Sequence, residues 1–309
     1  MSVIVVGAGN WGKNLVRTFA KLGALSGVIE ASESLRLAVL SEHPDVHVSN
    51  DFNSALISDA SAIAIATPAE HHYSMAKSAL IAGKDVFVEK PMTLSSEEAE
   101  DLCRLAREHN RILMVGHLLL YQPAVQAMKN LIEDGAIGEL ISIHQERLNL
   151  GRARAVEDVL WSLGVHDVAV SQFLVGSGDC DAQAFGRASL NPGIADDVYL
   201  HCTYGTGVQT HLHCSWLWPE RRRRTVAIGS RGMLVYDELA QSVTLHRKWI
   251  NEKLENVEEE SSLVYEGAGE PLFLELEHFL HCCETRETPK SDGESGLQVI
   301  RVLEQATAR

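Results

Sequence analysis

The sequence is poor in basic residues and lacks the patterns of several protein classes. Its 309 residues include 27 Lys and Arg against 42 Asp and Glu, a formal net charge of -15 that disfavours phosphate backbones and anionic lipid. No apolar run approaches the roughly 18 residues of a membrane span. The sequence begins with a strand-like run rather than a charged and then apolar leader. We therefore expect no nucleic-acid partner, no membrane association and a cytoplasmic location.

Metal sites and disulfide frameworks are also not indicated. The six cysteines contain no CxxC pair and follow no regular spacing, so we expect ordinary buried thiols. Fourteen histidines supply two pairs with ligand-like spacing, His211 with His213 and His278 with His281. Neither pair has a third ligand at a suitable distance in sequence, and we expect no metal.

The composition is that of a globular protein, with 45% hydrophobic and 22% charged residues. At roughly 150 residues per domain, the length predicts two domains. In the first third, apolar β-branched runs alternate with helical patterns, which is typical of a parallel sheet wrapped by helices. Helix-end signals agree, since Ser95 with Glu98 forms a capping box and Gly83 follows a helical pattern. The runs are Val3–Val6, Val28–Glu30, Ala62–Ala66, Val86–Val88 and Ile112–Val115.

Beyond about residue 138, apolar and polar residues alternate with period two, which predicts a mainly antiparallel sheet. We expect one helix early in this part, over Asp158–Leu174, and two more at the end of the chain. The predicted architecture is α/β. A doubly wound N-terminal domain (residues 1–118) precedes an α+β domain with an open, mainly antiparallel sheet (residues 119–309).

A glycine-rich turn directly follows the first predicted strand and opens a helix. Its sequence is Gly7-Ala8-Gly9-Asn10-Trp11-Gly12, a GxGxxG in the context that marks a dinucleotide-binding site. The glycines allow a tight turn, close approach to a pyrophosphate, and close helix packing. The pyrophosphate would then lie at the helix N-terminus.

Glu30 ends the second predicted strand, where a carboxylate would accept hydrogen bonds from the adenosine ribose. This position favours NAD over NADP, although Ser32, Ser34 and Arg36 lie close enough in sequence to hold a 2′-phosphate if Glu30 moved away. Two further strands end in polar residues, at Thr67-Pro68 and at Glu89-Lys90-Pro91. Ligands bind at this edge of doubly wound sheets.

Several of these segments together resemble one enzyme family. Gly7–Gly12, Thr67-Pro68 with His72, the run Ala82–Pro91, and Val165-His166-Asp167 are similar to motifs of the Gfo/Idh/MocA (glucose-fructose oxidoreductase / inositol dehydrogenase) family. The resemblance implies a nucleotide-binding Rossmann domain and a second domain whose sheet forms homodimers or homotetramers. It also implies reversible oxidation of a sugar or cyclitol alcohol.

Carried over by position, the resemblance assigns Lys90 and His166 as the catalytic pair. A histidine can accept the proton of the hydroxyl while a nearby cation stabilises the alkoxide. The expected cofactor contacts are Gly7, Gly9, Asn10, Trp11, Gly12, Glu30, Thr67, Pro68, His72, Glu89 and Lys90. Many family members carry Asp four residues before the histidine, and this chain has Ser162 there.

The segments around His117, Arg147–Arg154 and Trp161 resemble the branch of UDP-N-acetylglucosamine 3-dehydrogenases. A sugar-nucleotide diphosphate needs cations, and this acidic chain concentrates arginines at Arg147, Arg152, Arg154 and Arg221–Arg224. Alternate residues of a strand face opposite ways, so Arg221 and Arg223 are expected at the substrate and Arg222 and Arg224 at the sheet or a subunit contact. The expected substrate contacts are Tyr121, Asn149, Arg152, Arg154, His166, Trp218, Arg221 and Arg223.

Two alternatives stay open at this point. The chain could oxidise a free sugar or inositol, in which case the arginines would be structural. It could instead be an NAD-binding sensor or scaffold without turnover.

Overall fold

The computed structural model describes residues 1–151, 153–176 and 178–307, which form two compact units. The first comprises Met1–Leu118 and Glu270–Ile300, and the second comprises Leu119–Gly269 with the chain from Arg301. The expected second domain ran from residue 119 to the end of the chain, whereas Glu270–Ile300 belongs to the first unit. Buried aromatic packing explains this difference: Phe279 lies edge-on to Phe19 and Phe87, with ring centroids 6.4 Å and 5.7 Å away.

A six-stranded parallel sheet lies at the centre of the first unit. Its strands are β1 (Val3–Val6), β2 (Leu25–Ile29), β3 (His47–Ser49), β4 (Ala62–Ile65), β5 (Asp85–Glu89) and β6 (Leu113–Gly116). They lie in the order β3-β2-β1-β4-β5-β6, with every neighbouring pair parallel. This is the Rossmann order, which confirms the predicted doubly wound sheet. The sequence did not predict β3, because three residues are too few to show a period.

Helices follow most strands of the first unit, and the helix-end signals of the sequence are confirmed. The side chain of Ser95 accepts a hydrogen bond from the Glu98 amide at 3.2 Å, and Gly83 has a φ of +76° just after a helix. No helix of the described residues is long and apolar enough to cross a bilayer. In chain order the helices are α1 (Gly12–Lys21), α2 (Glu33–Glu42), α3 (Phe52–Leu56), α4 (His72–Ile81), α5 (Ser96–Glu108), α6 (Pro123–Glu133), α7 (Val165–Val175), α8 (Pro271–Thr285) and α9 (Gly293–Thr307).

An open eight-stranded sheet forms the second unit, with a separate two-stranded ribbon. In chain order the strands are β7 (Leu140–Leu150), β8 (Cys180–Arg187), β9 (Asp197–Tyr204), β10 (Gln209–Ser215), β11 (Leu217–Gly229), β12 (Gly232–Asp237), β13 (Ser242–His246), β14 (Lys248–Ile250), β15 (Asn256–Glu258) and β16 (Ser262–Glu266). The large sheet has the order β16-β13-β12-β11-β7-β10-β9-β8. Only the β7 and β10 pair is parallel among the described strands of this sheet, so the predicted mainly antiparallel sheet is confirmed.

The two faces of this sheet carry different residues. On β10, Leu212 and Cys214 are buried on the face that packs against α7, and we call this the inner face. His211 and His213 alternate with them and lie on the outer face. Because paired residues share a face, the register of the sheet assigns every neighbouring side chain to one of the two.

Candidate active site

The glycine-rich turn joins β1 to α1 in the first unit, and each glycine has a separate reason to lack a side chain. Gly7 has a φ of +91°, and a Cβ there would lie 2.8 Å from the carbonyl oxygen of Ala66. A Cβ on Gly12 would overlap the carbonyl of Gly7. In contrast, no atom lies within 4 Å of the position that a Cβ on Gly9 would occupy. The turn therefore leaves open space beside the N-terminus of α1, where a diphosphate fits.

Glu30 follows β2 and fastens the same turn through its carboxylate. Its oxygens accept hydrogen bonds from the backbone amides of Ala8 at 2.6 Å and Ser32 at 2.8 Å. A carboxylate has about four acceptor positions, so two remain for ribose hydroxyls. The guanidinium of Arg36 donates to the carbonyl oxygens of Glu30 and Ala31 at 2.8 and 2.7 Å. These contacts hold one terminal nitrogen of Arg36, the cation expected near a 2′-phosphate, on the backbone.

His72 connects the segments that follow β4 and β5. Its Nδ1 lies 2.8 Å from the carbonyl oxygen of Pro91, and its Nε2 lies 2.9 Å from that of Thr67. The ring is buried, and burial lowers the pKa of His72 below its usual value. His72 thus holds the segment around Thr67-Pro68 against the segment that carries Lys90.

Glu89 is the last residue of β5 and ties the glycine-rich turn to Lys90. Its buried carboxylate accepts a hydrogen bond from the indole nitrogen of Trp11 and one from the Lys90 amide at 3.3 Å. Burial raises the pKa of Glu89 to about 7. The structure therefore brings the predicted residues of the turn and of the β5 end into one connected group.

Glu275 on α8 lies close to Glu89 and was not expected from the sequence. Its carboxyl is buried, and burial together with the charge of Glu89 raises the pKa of Glu275 well above its usual value. The sequence did carry a signal, because Glu275 shares a helix face with Phe279 and Cys282, both buried. An acidic residue on an apolar face indicates an unusual carboxyl.

Two predicted substrate residues meet on the inner face of the second unit's sheet. Asn149 on β7 accepts a hydrogen bond from Nη2 of Arg223 on β11 at 2.7 Å. The other terminal nitrogen of Arg223 is buried and has no hydrogen-bond partner within the described ranges. Burial and the charge of Arg147 lower the pKa of Arg223 to about 10. A guanidinium in this state favours an anionic partner.

A buried ion-pair group supports this surface and the start of α7. Nε of Arg147 donates to the carboxylate of Asp167, and its Nη2 donates to Glu238 at 3.0 Å. Arg147 therefore pairs with two carboxylates, whereas the sequence led us to expect it to contact the diphosphate of the substrate. Asp167 directly follows His166 and fixes the first turn of α7 to β7, while His166 itself is half-buried. Ser162 lies in the π-helical turn Leu160–Gly164 that leads into this helix.

The remaining predicted substrate residues are not all brought to the inner face. Trp218 packs edge-on against His213 on the outer face, with ring centroids 5.5 Å apart. Arg154 is exposed and pairs with Glu157 at 2.8 Å. Arg221 is exposed and Tyr121 is buried, whereas Arg152 lies outside the described residues.

Arg222 and Arg224 of the run Arg221–Arg224 lie on the outer face. Arg222 lies 3.6 Å from Glu146 and 3.0 Å from Glu220, and Arg224 is paired with Glu146 in the sheet register. His211 and His213 also lie on this face, and no group of three metal-binding side chains occurs among the described residues.

Comparison with known proteins agrees with both units. The family model for an oxidoreductase family with an NAD-binding Rossmann fold matches residues 1–117, and that for a GFO/IDH/MocA C-terminal domain matches residues 125–235. Among curated relatives, UDP-N-acetylglucosamine 3-dehydrogenase of Acidithiobacillus ferrooxidans is 26% identical over 96% of this chain and 93% of its own. The scyllo-inositol 2-dehydrogenase (NAD(+)) of Bacillus subtilis is also 26% identical, over 77% of this chain and 74% of its own.

Solved structures show the same fold over the whole length. The A. ferrooxidans enzyme has a TM-score of 0.90 at 24% identity, covering 100% of this chain and 96% of its own. A protein from Magnetospirillum magnetotacticum MS-1 has a TM-score of 0.86 at 30% identity, covering 99% of both chains. Since the matched domains, the strand order and the glycine-rich turn all agree, this chain belongs to the GFO/IDH/MocA family of NAD(P)-dependent sugar oxidoreductases.

Proposed function

We propose that the chain oxidises a secondary alcohol of a sugar nucleotide, with the 3-hydroxyl of UDP-N-acetylglucosamine as its substrate and the 3-keto sugar as product. The observation that carries this proposal is the inner-face pair of Arg223 and Asn149, in which one buried guanidinium nitrogen has no hydrogen-bond partner among the described residues. The 26% identity with a UDP-N-acetylglucosamine 3-dehydrogenase over 96% of the chain supports the same substrate.

The first unit is built to hold the cofactor at the strand ends. The open space at Gly9 and the N-terminus of α1 suit the diphosphate, and the free acceptor positions of Glu30 suit the adenosine ribose. NAD supplies the acceptor for the hydride that leaves the carbinol carbon. Asn10, Trp11, Thr67 and Pro68 complete the cofactor contacts in this proposal.

Lys90 and His166 perform the proton chemistry in this proposal. As hydride leaves the carbon, the hydroxyl proton must also leave, and His166 accepts it. The ammonium of Lys90 stabilises the negative charge that develops on the oxygen. The hydrogen bonds from His72 to the Pro91 segment, and from the Lys90 amide to Glu89, hold Lys90 in place.

Arg223 and its neighbour Arg222 offer a direct test of the substrate. Formation of NADH is followed at about 340 nm with NAD and UDP-N-acetylglucosamine, free N-acetylglucosamine or myo-inositol. Arg223→Gln should raise KM for the nucleotide sugar by about tenfold or more. Arg222→Gln, on the outer face, is the matched control and should leave KM unchanged. Equal effects of the two substitutions would contradict the diphosphate site.

Lys90→Ala tests the chemistry itself. We expect NAD affinity to stay within a few-fold while turnover falls by about a hundredfold or more, because the developing alkoxide loses its cation. Calorimetry with NAD and the same absorbance assay separate the two effects. Near-normal turnover would remove Lys90 from the mechanism.

Oxidation of a free sugar or inositol is the second candidate, favoured by the similarity to scyllo-inositol 2-dehydrogenase. Turnover with myo-inositol and none with the nucleotide sugar would support it and would make Arg223 structural.

We further propose a homodimer or homotetramer formed through the outer face. Phe185 and Tyr199 are paired there and are 66% and 56% exposed, and Tyr199 stacks on His213 with ring centroids 3.9 Å apart. An exposed aromatic row of this kind marks an association surface. We also propose a cytoplasmic location, because the six cysteines are free thiols, which suits a reducing compartment.

A further inference from the structure

His117 is a buried histidine of the first unit whose ring makes no hydrogen bond within the described residues. It directly follows β6 and is 3% exposed. Neither ring nitrogen has a hydrogen-bond partner among the residues that the structure describes. Its backbone amide donates to the carbonyl of Val115 at 2.7 Å, so the amide has a partner, in contrast to the ring.

His72 provides an internal comparison, because it is equally buried and lies in the same unit. Both of its ring nitrogens lie within 2.9 Å of backbone carbonyl oxygens. Burying a donor or an acceptor without a partner costs free energy, and nearly all buried polar groups in proteins are paired. A ligand could supply the missing partner of the His117 ring, whereas the ring of His72 already has a backbone partner for its single donor.

The ring of His117 is neutral at physiological pH. Burial, with a further contribution from the charge of Lys90, lowers the pKa of His117 to about 3. A neutral imidazole carries one donor and one acceptor. An uncharged group that can both accept and donate can pair with either ring nitrogen, whichever of them carries the proton.

The place of His117 in the sheet indicates which part of a ligand it faces. β6 lies beside β5, and Gly116 is paired with Glu89, the residue before Lys90. A Cβ on Gly116 would lie 3.0 Å from the Glu89 carboxyl, so these strand ends are close together. In a doubly wound sheet, strands β4 to β6 hold the second mononucleotide, which in NAD is the nicotinamide half.

We propose that His117 hydrogen-bonds through its neutral ring to an uncharged donor and acceptor group at the reacting end of the bound ligands. The nicotinamide carboxamide and a hydroxyl of the sugar both have this chemistry. The carboxamide source depends only on NAD binding, whereas the hydroxyl source rests on the proposed function.

The test uses His117→Phe, which retains a ring of similar size and removes both nitrogens, with His72→Phe as the matched control. Because His117→Phe removes unpaired buried groups, the melting temperature of the protein without ligands should hold or rise. His72→Phe breaks existing contacts, and its melting temperature should fall. A fall with His117→Phe equal to that of His72→Phe would overturn the proposal, since it would show a structural role.

Ligand binding then separates the two sources. If the carboxamide is the partner, calorimetry should show NAD binding to His117→Phe about tenfold or more weaker than to wild type. The NAD analogue with an acetyl group in place of the carboxamide should lose less affinity on the His117→Phe substitution, because it has no amide donor. If the sugar hydroxyl is the partner, NAD affinity should stay unchanged and KM for the oxidised sugar should rise by a similar factor.

Unchanged NAD affinity together with unchanged kinetics would overturn the proposal. The kinetic arm uses whichever of UDP-N-acetylglucosamine, N-acetylglucosamine and myo-inositol the wild type oxidises. If it oxidises none of them, the proposed function fails, and NAD calorimetry alone then decides on His117, with unchanged affinity counting against it.

Discussion

Substitution of Gly9 by alanine should separate cofactor binding from folding. A Cβ at Gly9 meets no atom within 4 Å, and Gly9 lies outside the left-handed region, so the methyl group fits the folded chain. Replacing glycine at such a position changes the free energy of unfolding by about 1 kcal/mol at most, in the stabilising direction. The methyl group would instead occupy the space beside the N-terminus of α1, where the diphosphate approaches the backbone.

The loss of affinity follows from the hydrogen bonds that the diphosphate would lose. A hydrogen bond to a charged group contributes about 1.5–3 kcal/mol, so losing one weakens NAD binding by about 10- to 100-fold. Calorimetry with NAD and a thermal melt without it measure the two quantities on the same Gly9→Ala protein. NAD affinity equal to that of wild type would refute the assignment of this space to the cofactor.

Two other glycines control the experiment. Gly205 lies in the exposed turn between β9 and β10 and also has no atom within 4 Å of its Cβ position. Gly205→Ala should therefore leave NAD affinity unchanged and show the same small rise in melting temperature as Gly9→Ala. Gly12→Ala places a methyl group against the Gly7 carbonyl and should lower both, because the first turn of α1 has to move.

Three further substitutions test the electrostatic assignments. Glu30→Ala should weaken NAD binding more than NADP binding, measured by calorimetry, because the carboxylate serves the ribose hydroxyls; equal losses would show that Glu30 is not the ribose reader. Glu89→Gln tests a pH effect. Folding raises the pKa of Glu89 from 4.5 to about 7, so between these values the folded protein keeps a proton that the unfolded chain releases. The free energy of unfolding of the wild type therefore falls by about 3 kcal/mol as pH rises through that range. The melting temperature of Glu89→Gln relative to wild type should rise between about pH 5 and pH 7 and then level off, and a constant difference would contradict the raised pKa. Arg147→Met leaves the buried Asp167 and the half-buried Glu238 without their cation and should lower the free energy of unfolding by about 3–5 kcal/mol, with partial recovery when Asp167→Asn is added. A denaturant titration in which the double variant is no better than Arg147→Met would count against this ion-pair group.

The first unit was predictable because its signals are local. The GxGxxG turn, the capping box at Ser95 and the glycine after α4 act through the backbone within a few residues. The strands were also recognisable, since a strand that is buried on both faces is a nearly continuous apolar run in the sequence. Among the strands of this sheet, β3 was not predicted, because its three residues are too few to show a periodic pattern.

What the sequence did not predict depends on tertiary structure. The contact of Trp218 on β11 with His213 on β10 joins two strands and has no local signal in the sequence. No local sequence pattern indicates that Arg147 forms ion pairs with Asp167 and Glu238, because these partners lie on other elements. Placement of α8 with the first unit depends on the aromatic contacts of Phe279, which no local pattern reveals.

The run Arg221–Arg224 has a consequence for how the chain can change during evolution. In most strands, inserting or deleting one residue exchanges the two sets of side chains between faces and destroys a site. Here the irregular segment between Leu217 and Arg222 can absorb a change in length, while the pairing of Thr225 through Ile228 with β12 keeps the later register. Because arginines occupy four consecutive positions, a one-residue slip would still present a guanidinium on each face. The run would therefore make the proposed anion site of this strand robust to small insertions that would abolish a site built from a single arginine.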